Sequence, residues 1–368
     1  MSTSVKYYNS TMSGAPSLSG TAGALISVLD GCLVDGFGSV TVDSLVVASN
    51  VATATVSAGH QFAMIGNTGP VIQIAGASPS GLNGDWRVTV ISSTEFTFAT
   101  TGISDQTATG TITAKRAPAG FSKAFSDTNK AAYRSDDITG TRLYCRIDDS
   151  TTTYARIRGY ESMTGIDTDL VGPFPTDAQL SGGEYVYKSN AASSATRPWA
   201  LVSDGRMVYF FCDPAGSGTW TGGFWFGDLD SYVVSDGYGC IMIGSNSASG
   251  DFLGYAVNGS SVANYLARAI TQTGGSLATT RYSNGKSAGL GASGPAYDSD
   301  NVLLWPIEAW DGTTSPHGLM PGLWNPICTS VLHGEILEGV PQLSGRTLIT
   351  QIIATSRSCA IDLTGTWR

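Results

Sequence analysis

Forty-six glycines are scattered along this chain in short turns, and the apolar or alternating segments between them are only a few residues long. Segments of that length suit β-strands, whereas a helix of several turns needs longer uninterrupted periodicity. The expected fold is therefore mainly β: several β-sandwich or β-sheet domains with a single short helix near the N-terminus. At 368 residues the chain is longer than one hydrophobic core usually spans, so more than one domain is expected.

The helix is expected after residues 1–20, which read as a polar extended arm broken by Gly14, Pro16 and Gly20. Thr21 is its candidate N-cap, and Ala22, Leu25, Ile26, Leu29 and Leu33 recur at helical spacing. Gly36 or Gly38 is expected to end it. From residue 40 to 115 the period changes to that of strands, rich in Thr and Val: Ser44 to Val47, Val51 to Val56, Val71 to Ile74, Trp86 to Val90, Glu95 to Phe98 and Thr109 to Thr113. Turn clusters separate them, the longest running from Ala77 to Gly84. Many short strands in so little sequence predict a small sandwich. Residues 116–368 are read as a main β-rich domain on which the N-terminal helix packs.

Within that domain, apolar alternation marks strands at Arg142 to Asp149 and Tyr154 to Tyr160, and a short helix or turn is expected between Asp167 and Pro175. The strongest β signal is Trp199 to Cys212, two apolar runs around Asp204-Gly205, which predicts a tight hairpin. Phe224 to Asp228 and Gly239 to Gly244 add two strands. Residues from Ser245 to Pro295 read as long loops around a few weak strands, and regular strands return after Val302.

Two resemblances emerge from these residues. Ala48-Ser49-Asn50-Val51-Ala52-Thr53-Ala54-Thr55-Val56, Gly59-His60-Gln61-Phe62, Leu82-Asn83-Gly84-Asp85-Trp86-Arg87-Val88, Ser93-Thr94-Glu95-Phe96-Thr97-Phe98 and Ala108-Thr109-Gly110-Thr111-Ile112 resemble the immunoglobulin-like modules inserted in phage virion proteins. Segments spread along the whole chain resemble virion proteins encoded among the tail genes of tailed bacteriophages. These include Ser13-Gly14-Ala15-Pro16, Arg197-Pro198-Trp199, Met320-Pro321-Gly322-Leu323-Trp324-Asn325-Pro326 and Asp362-Leu363-Thr364-Gly365-Thr366-Trp367. The resemblance implies a structural, non-enzymatic component of the phage particle, at the tail tip, baseplate or fibre, made in the bacterial cytoplasm and partnered by other tail proteins. It implies no cofactor.

Charge supports that expectation. Only 13% of residues are charged, about half the usual share, and interface cores are depleted of charge. A homo-oligomer is expected because closed symmetric assemblies are the rule. The net charge of −9 with no basic stripe argues against nucleic-acid binding. No apolar run is long enough to span a membrane, and the polar start lacks the apolar region of a secretory signal.

Candidate chemistry is sparse. The six cysteines lack metal-ligand spacing, and most lie in apolar runs where buried free thiols are expected. His60 and His317 read as turn or loop residues, and neither these nor His333 has a neighbour at zinc spacing. No G-x-S-x-G elbow occurs on a strand-to-helix turn. The pairs Asp136-Asp137, Asp148-Asp149 and Asp228-Leu229-Asp230, and the calcium-loop-like Asp298-Ser299-Asp300-Asn301, read as solvated turns. The aromatic cluster Trp220, Phe224, Trp225, Phe226 and Tyr232 has two readings: a core or subunit contact, or a stacking platform for host surface glycan. Receptor binding through such a platform, and capsid decoration, are the alternatives to a tail structural role.

Overall fold

A strand that is apolar at every position, without alternation, must be covered on both faces. Four segments come close to that character, Trp199–Ser203, Met207–Cys212, Gly222–Asp228 and Cys240–Ile243, polar only at the terminal Ser203 and Asp228, and every residue in them is buried. The computed structural model describes residues 5–249, 264–282, 303–312, 315–327, 333–352 and 358–368. Within these residues the protein is mainly β, with antiparallel sheets and one short α-helix.

The four segments are neighbours in a thirteen-stranded sheet. Lys6–Asn9 extends it on one side. On the other side follow Asn264–Leu266, Leu277–Tyr282, Leu303–Asp311, Ser315–Ile327, Ser358–Asp362, Leu348–Ile352 and Ile336–Leu337. Asp230–Ser231 pairs separately with Ser315–Ile327. Pairing register sorts the side chains by face, as the two-residue period of a strand requires. Phe210 opposes Phe224 and Tyr209 opposes Trp225. Phe210, Phe224 and Phe226 enter one core and Tyr209, Phe211 and Trp225 another.

The first core is closed by a second sheet built from Phe121–Asp127, Lys130–Ser135, Tyr144–Asp148, Tyr154–Ser162, Val171–Phe174 and Glu184–Tyr187. Tyr133, Ile147, Ile157 and Phe174 from that sheet meet Leu201, Phe210, Phe224 and Met242, and Leu25 and Leu29 of the helix join them. Gly159 makes room for Phe174: a Cβ there would lie 2.2 Å from the ring. The second core is closed by the large sheet itself, whose later strands supply Ile307, Leu323, Ile349 and Ile361.

Residues 37–116 form two further sheets over a core of their own. One orders Gln106–Thr107, Ser44–Ala48, Val51–Thr55, Glu95–Ala99 and Thr89–Val90; the other orders Phe37–Thr41, Thr113–Arg116, Val71–Ala75 and Gly84–Arg87. Leu45, Ala54, Phe96 and Phe98 of the first face Ile72, Ile74 and Ala114 of the second. The segment expected as one strand from Trp86 to Val90 divides at buried Val88 and serves both sheets. Glu338 joins this unit to the last strands by accepting bonds from the Asn67 backbone N–H and side-chain amide, each 2.6 Å.

Several expectations need correction. Residues 5–20 are not a free arm. Lys6–Asn9 pairs with Trp199–Ser203, Leu18–Ser19 pairs with Thr196–Arg197, and Leu18 is fully buried. The two pairings are too short to leave a readable pattern. The helix is Ala24–Leu29, continued by a wider π turn over Asp30–Asp35 and ended at Gly36. Thr21 does not cap it. Gly23 occupies that position at φ 79°, and the acceptor comes from afar: Asp149 takes the N–H groups of Leu25 and Ile26 at 2.8 and 3.4 Å. Between Asp167 and Pro175 lie a turn and the strand Val171–Phe174. The Asp204-Gly205 hairpin forms as expected, with the Asp204 carboxylate accepting the N–H groups of Arg206 and Met207 at 2.9 and 2.7 Å.

Candidate functional site

The five aromatic residues singled out in the sequence separate. Phe224, Trp225 and Phe226 lie on one strand whose two faces feed two cores, so none offers a ring to a sugar. Their alternation is core packing between sheets, which a sequence window cannot distinguish from a surface cluster. Trp220 is half-buried and stacks on His333 with ring centroids 4.3 Å apart. Only Tyr232 is open to solvent, and its hydroxyl donates to Glu308 at 2.5 Å. Burial and that neighbouring carboxylate push the phenol up.

Tyr232 belongs to a loop, residues 229–239, that forms most of one wall of a cleft of about 350 Å³. Thr139, Gly140, Thr141, Arg206, Asp228 and Arg368 line the rest of the cleft. The cleft lining is already internally paired. Arg206 binds Asp137 at 2.8 Å and Arg368 binds Asp204 at 2.5 Å. Asp228 accepts the Thr141 N–H at 2.9 Å and its hydroxyl at 2.5 Å, and burial raises the Asp228 carboxyl despite those bonds. The rim is different in kind. Val234 is 92% exposed and Ile138, next to Thr139, is 81% exposed.

What fixes this loop is a buried charge cluster absent from the sequence reading. His317, expected in a loop, is a strand residue with no exposed surface. Its Nδ1 lies 2.7 Å from Asp311 Oδ1 and its Nε2 lies 2.9 Å from Asp236 Oδ2. Burial alone would lower the imidazole, but the bonds to Asp236 and Asp311 outweigh it and raise its pKa. Asp236 is correspondingly lowered: burial opposes ionisation, and bonds from His317, the Tyr238 N–H and the Ser231 hydroxyl overcome it. With both nitrogens facing carboxylates, the surroundings favour the imidazolium, which can donate to both, and neither ring nitrogen is left open toward the cleft as a base. Ser231 donates to Asp236 and to the His317 carbonyl, not to the ring. The cluster is thus a clamp. It ties the 229–239 loop to two strands, and through Asp311 Oδ2, which accepts the Ile270 N–H at 2.7 Å, to a third segment. Arg268 adds a second tie, stacking over Tyr238 at 3.6 Å while gripping Glu161 at 2.7 and 2.6 Å.

The remaining candidates are structural. His60, expected in a turn, is buried against Phe62 and Phe96 and accepts the Phe62 N–H at 3.0 Å. Asp149 and Asp228 are buried rather than solvated. Cys32, Cys145, Cys212, Cys240 and Cys359 are buried free thiols whose pKa values burial raises, as expected; Cys328 lies outside the described residues. The Asp298 to Asn301 segment also lies outside them. Among the described residues no cluster of three metal-ligating side chains occurs, and no helix is long and apolar enough to cross a membrane. No protein-family model matches the chain, and no curated protein matches it in sequence.

Proposed function

We propose that the protein is a structural component of a tailed phage particle, placed in the tail tip, baseplate or fibre, and that it works through contacts with other subunits. One observation carries this reading: a clamped loop lining the cleft presents Val234, and Ile138, next to the cleft residue Thr139, is likewise apolar and open to solvent. Apolar side chains held open to solvent on anchored segments suit burial against a neighbouring subunit. The low charge of the chain and the resemblance of its segments to tail-gene products support the same reading. A glycan-binding role has less support, because three of the five aromatics that suggested it lie in the cores.

The test is an Ile138→Lys, Val234→Lys double variant supplied in place of the wild-type chain during particle production. Both positions face water, so each change should alter stability by less than about 0.5 kcal/mol. The variant is expected to melt like wild type and to be missing from purified particles. Normal incorporation of the folded variant would contradict this surface as the contact.

A further inference from the structure

Lys188 and Asp149 form an ion pair in which neither side chain has any exposed surface. Among the described residues Lys188 is the one fully buried lysine. Isolating such a pair from water removes hydration that the mutual attraction seldom fully restores. Burial pushes the Asp149 carboxyl up and the Lys188 ammonium down, against the attraction between them, toward free acid and free amine.

The surroundings organise these groups for reaction. Asp149 Oδ2 is held by two backbone donors at the start of the helix, the N–H groups of Leu25 and Ile26. They polarise the carboxyl and would stabilise negative charge developing on that oxygen, as an oxyanion hole does. Lys188 Nζ donates to the Thr21 carbonyl at 2.7 Å and touches Asp149 Oδ1. The nitrogen is thus positioned beside the carboxyl, with its approach fixed by packing rather than by diffusion.

We infer that Lys188 and Asp149 condense to an intramolecular isopeptide bond. The nitrogen lone pair of the neutral amine forms a bond to Cγ, and the Cγ–Oδ1 bond breaks. Oδ1 leaves as water, carrying the acid proton and one proton from nitrogen, so no oxidant or co-reactant is needed. The strands Tyr144–Asp148 and Glu184–Tyr187, which end one residue before Asp149 and Lys188, both pair with Tyr154–Ser162. The bond would therefore staple the two strands flanking a central one, a cross-link suited to a part that bears load. The inference rests on this pair alone and holds whatever the protein's location.

The test is mass spectrometry of the full-length wild-type chain, purified folded and then denatured. It is expected to be lighter than its sequence by one water. Tryptic digestion should give a branched peptide joining residues 147–156 to the segment containing Lys188, with no cleavage after Lys188. In folded protein, Asp149→Asn should lose ammonia instead and reach the wild-type final mass, whereas Lys188→Met should lose nothing. A wild-type digest with a free 147–156 peptide and normal cleavage after Lys188 would overturn the inference, whether or not either variant folds.

Discussion

Replacing His317 with alanine is expected to cost about 3–5 kcal/mol of unfolding free energy, because it leaves the carboxylates of Asp236 and Asp311 facing each other in the interior without their cation. Denaturant unfolding measures the loss. The 229–239 loop should loosen first beyond its backbone pairing at Asp230–Ser231, since the side-chain tie of Asp236 to the strand Ser315–Ile327 is this ring, seen as faster amide exchange at Tyr238, whose N–H bonds Asp236. The pH dependence has a definite sign. The folded-state pKa of His317 lies above its unfolded value, near the ordinary 6.5 or so of histidine. The stabilisation is therefore complete below that unfolded value and is lost as pH rises through the raised folded one. Asp236, depressed in the fold, adds stability that is present above its unfolded pKa and lost as pH falls through the lower folded one. A His317→Gln variant should lack the alkaline loss, and an unchanged alkaline slope in that variant would show that the imidazolium is not its source.

Trp225→Ala should be about as severe, near 3–5 kcal/mol, the usual range for deleting a fully buried indole. Its ring stands edge-on to Tyr209 at 5.3 Å and near Phe211 at 5.9 Å, so aromatic contacts are lost along with the filled volume. Tyr232→Ala, by contrast, removes a half-exposed ring and should cost far less. The contrast is diagnostic. Were the aromatic run a surface platform, both substitutions would leave thermal unfolding nearly unchanged and both would weaken glycan binding.

These two residues also mark what could be read from the sequence. The apolar runs around Asp204-Gly205 gave their hairpin directly, because turn chemistry and strand pattern are local. Most strands of residues 40–115 were legible for the same reason; the exceptions are the division at Val88, where one segment serves two sheets, and Thr109 to Thr113, expected as one strand, where the chain instead passes between the strands Gln106–Thr107 and Thr113–Arg116 of different sheets. Trp225 was visible as an aromatic in a strand, but its covering by Ile307, Leu323 and Ile349 depends on how the large sheet folds back over itself. The clamp was invisible. Asp236 and His317 are 81 residues apart, and neither sits in a motif that singles it out. The Asp149 cap on the helix lay hidden likewise: Thr21 offered a local acceptor, and a carboxylate 124 residues away from Leu25 took its place. Buried polar contacts between distant segments follow from topology, and a periodicity argument has no access to them.

The most direct measurement for a structural role in the particle is a reconstruction of the intact phage by cryo-electron microscopy, with the purified particle's proteins identified by mass spectrometry. The chain should be present in a fixed, symmetric copy number within the tail assembly, with Ile138 and Val234 covered by a neighbouring subunit. Its absence from infectious particles, while the folded chain accumulates free in infected cells, would contradict the role proposed here.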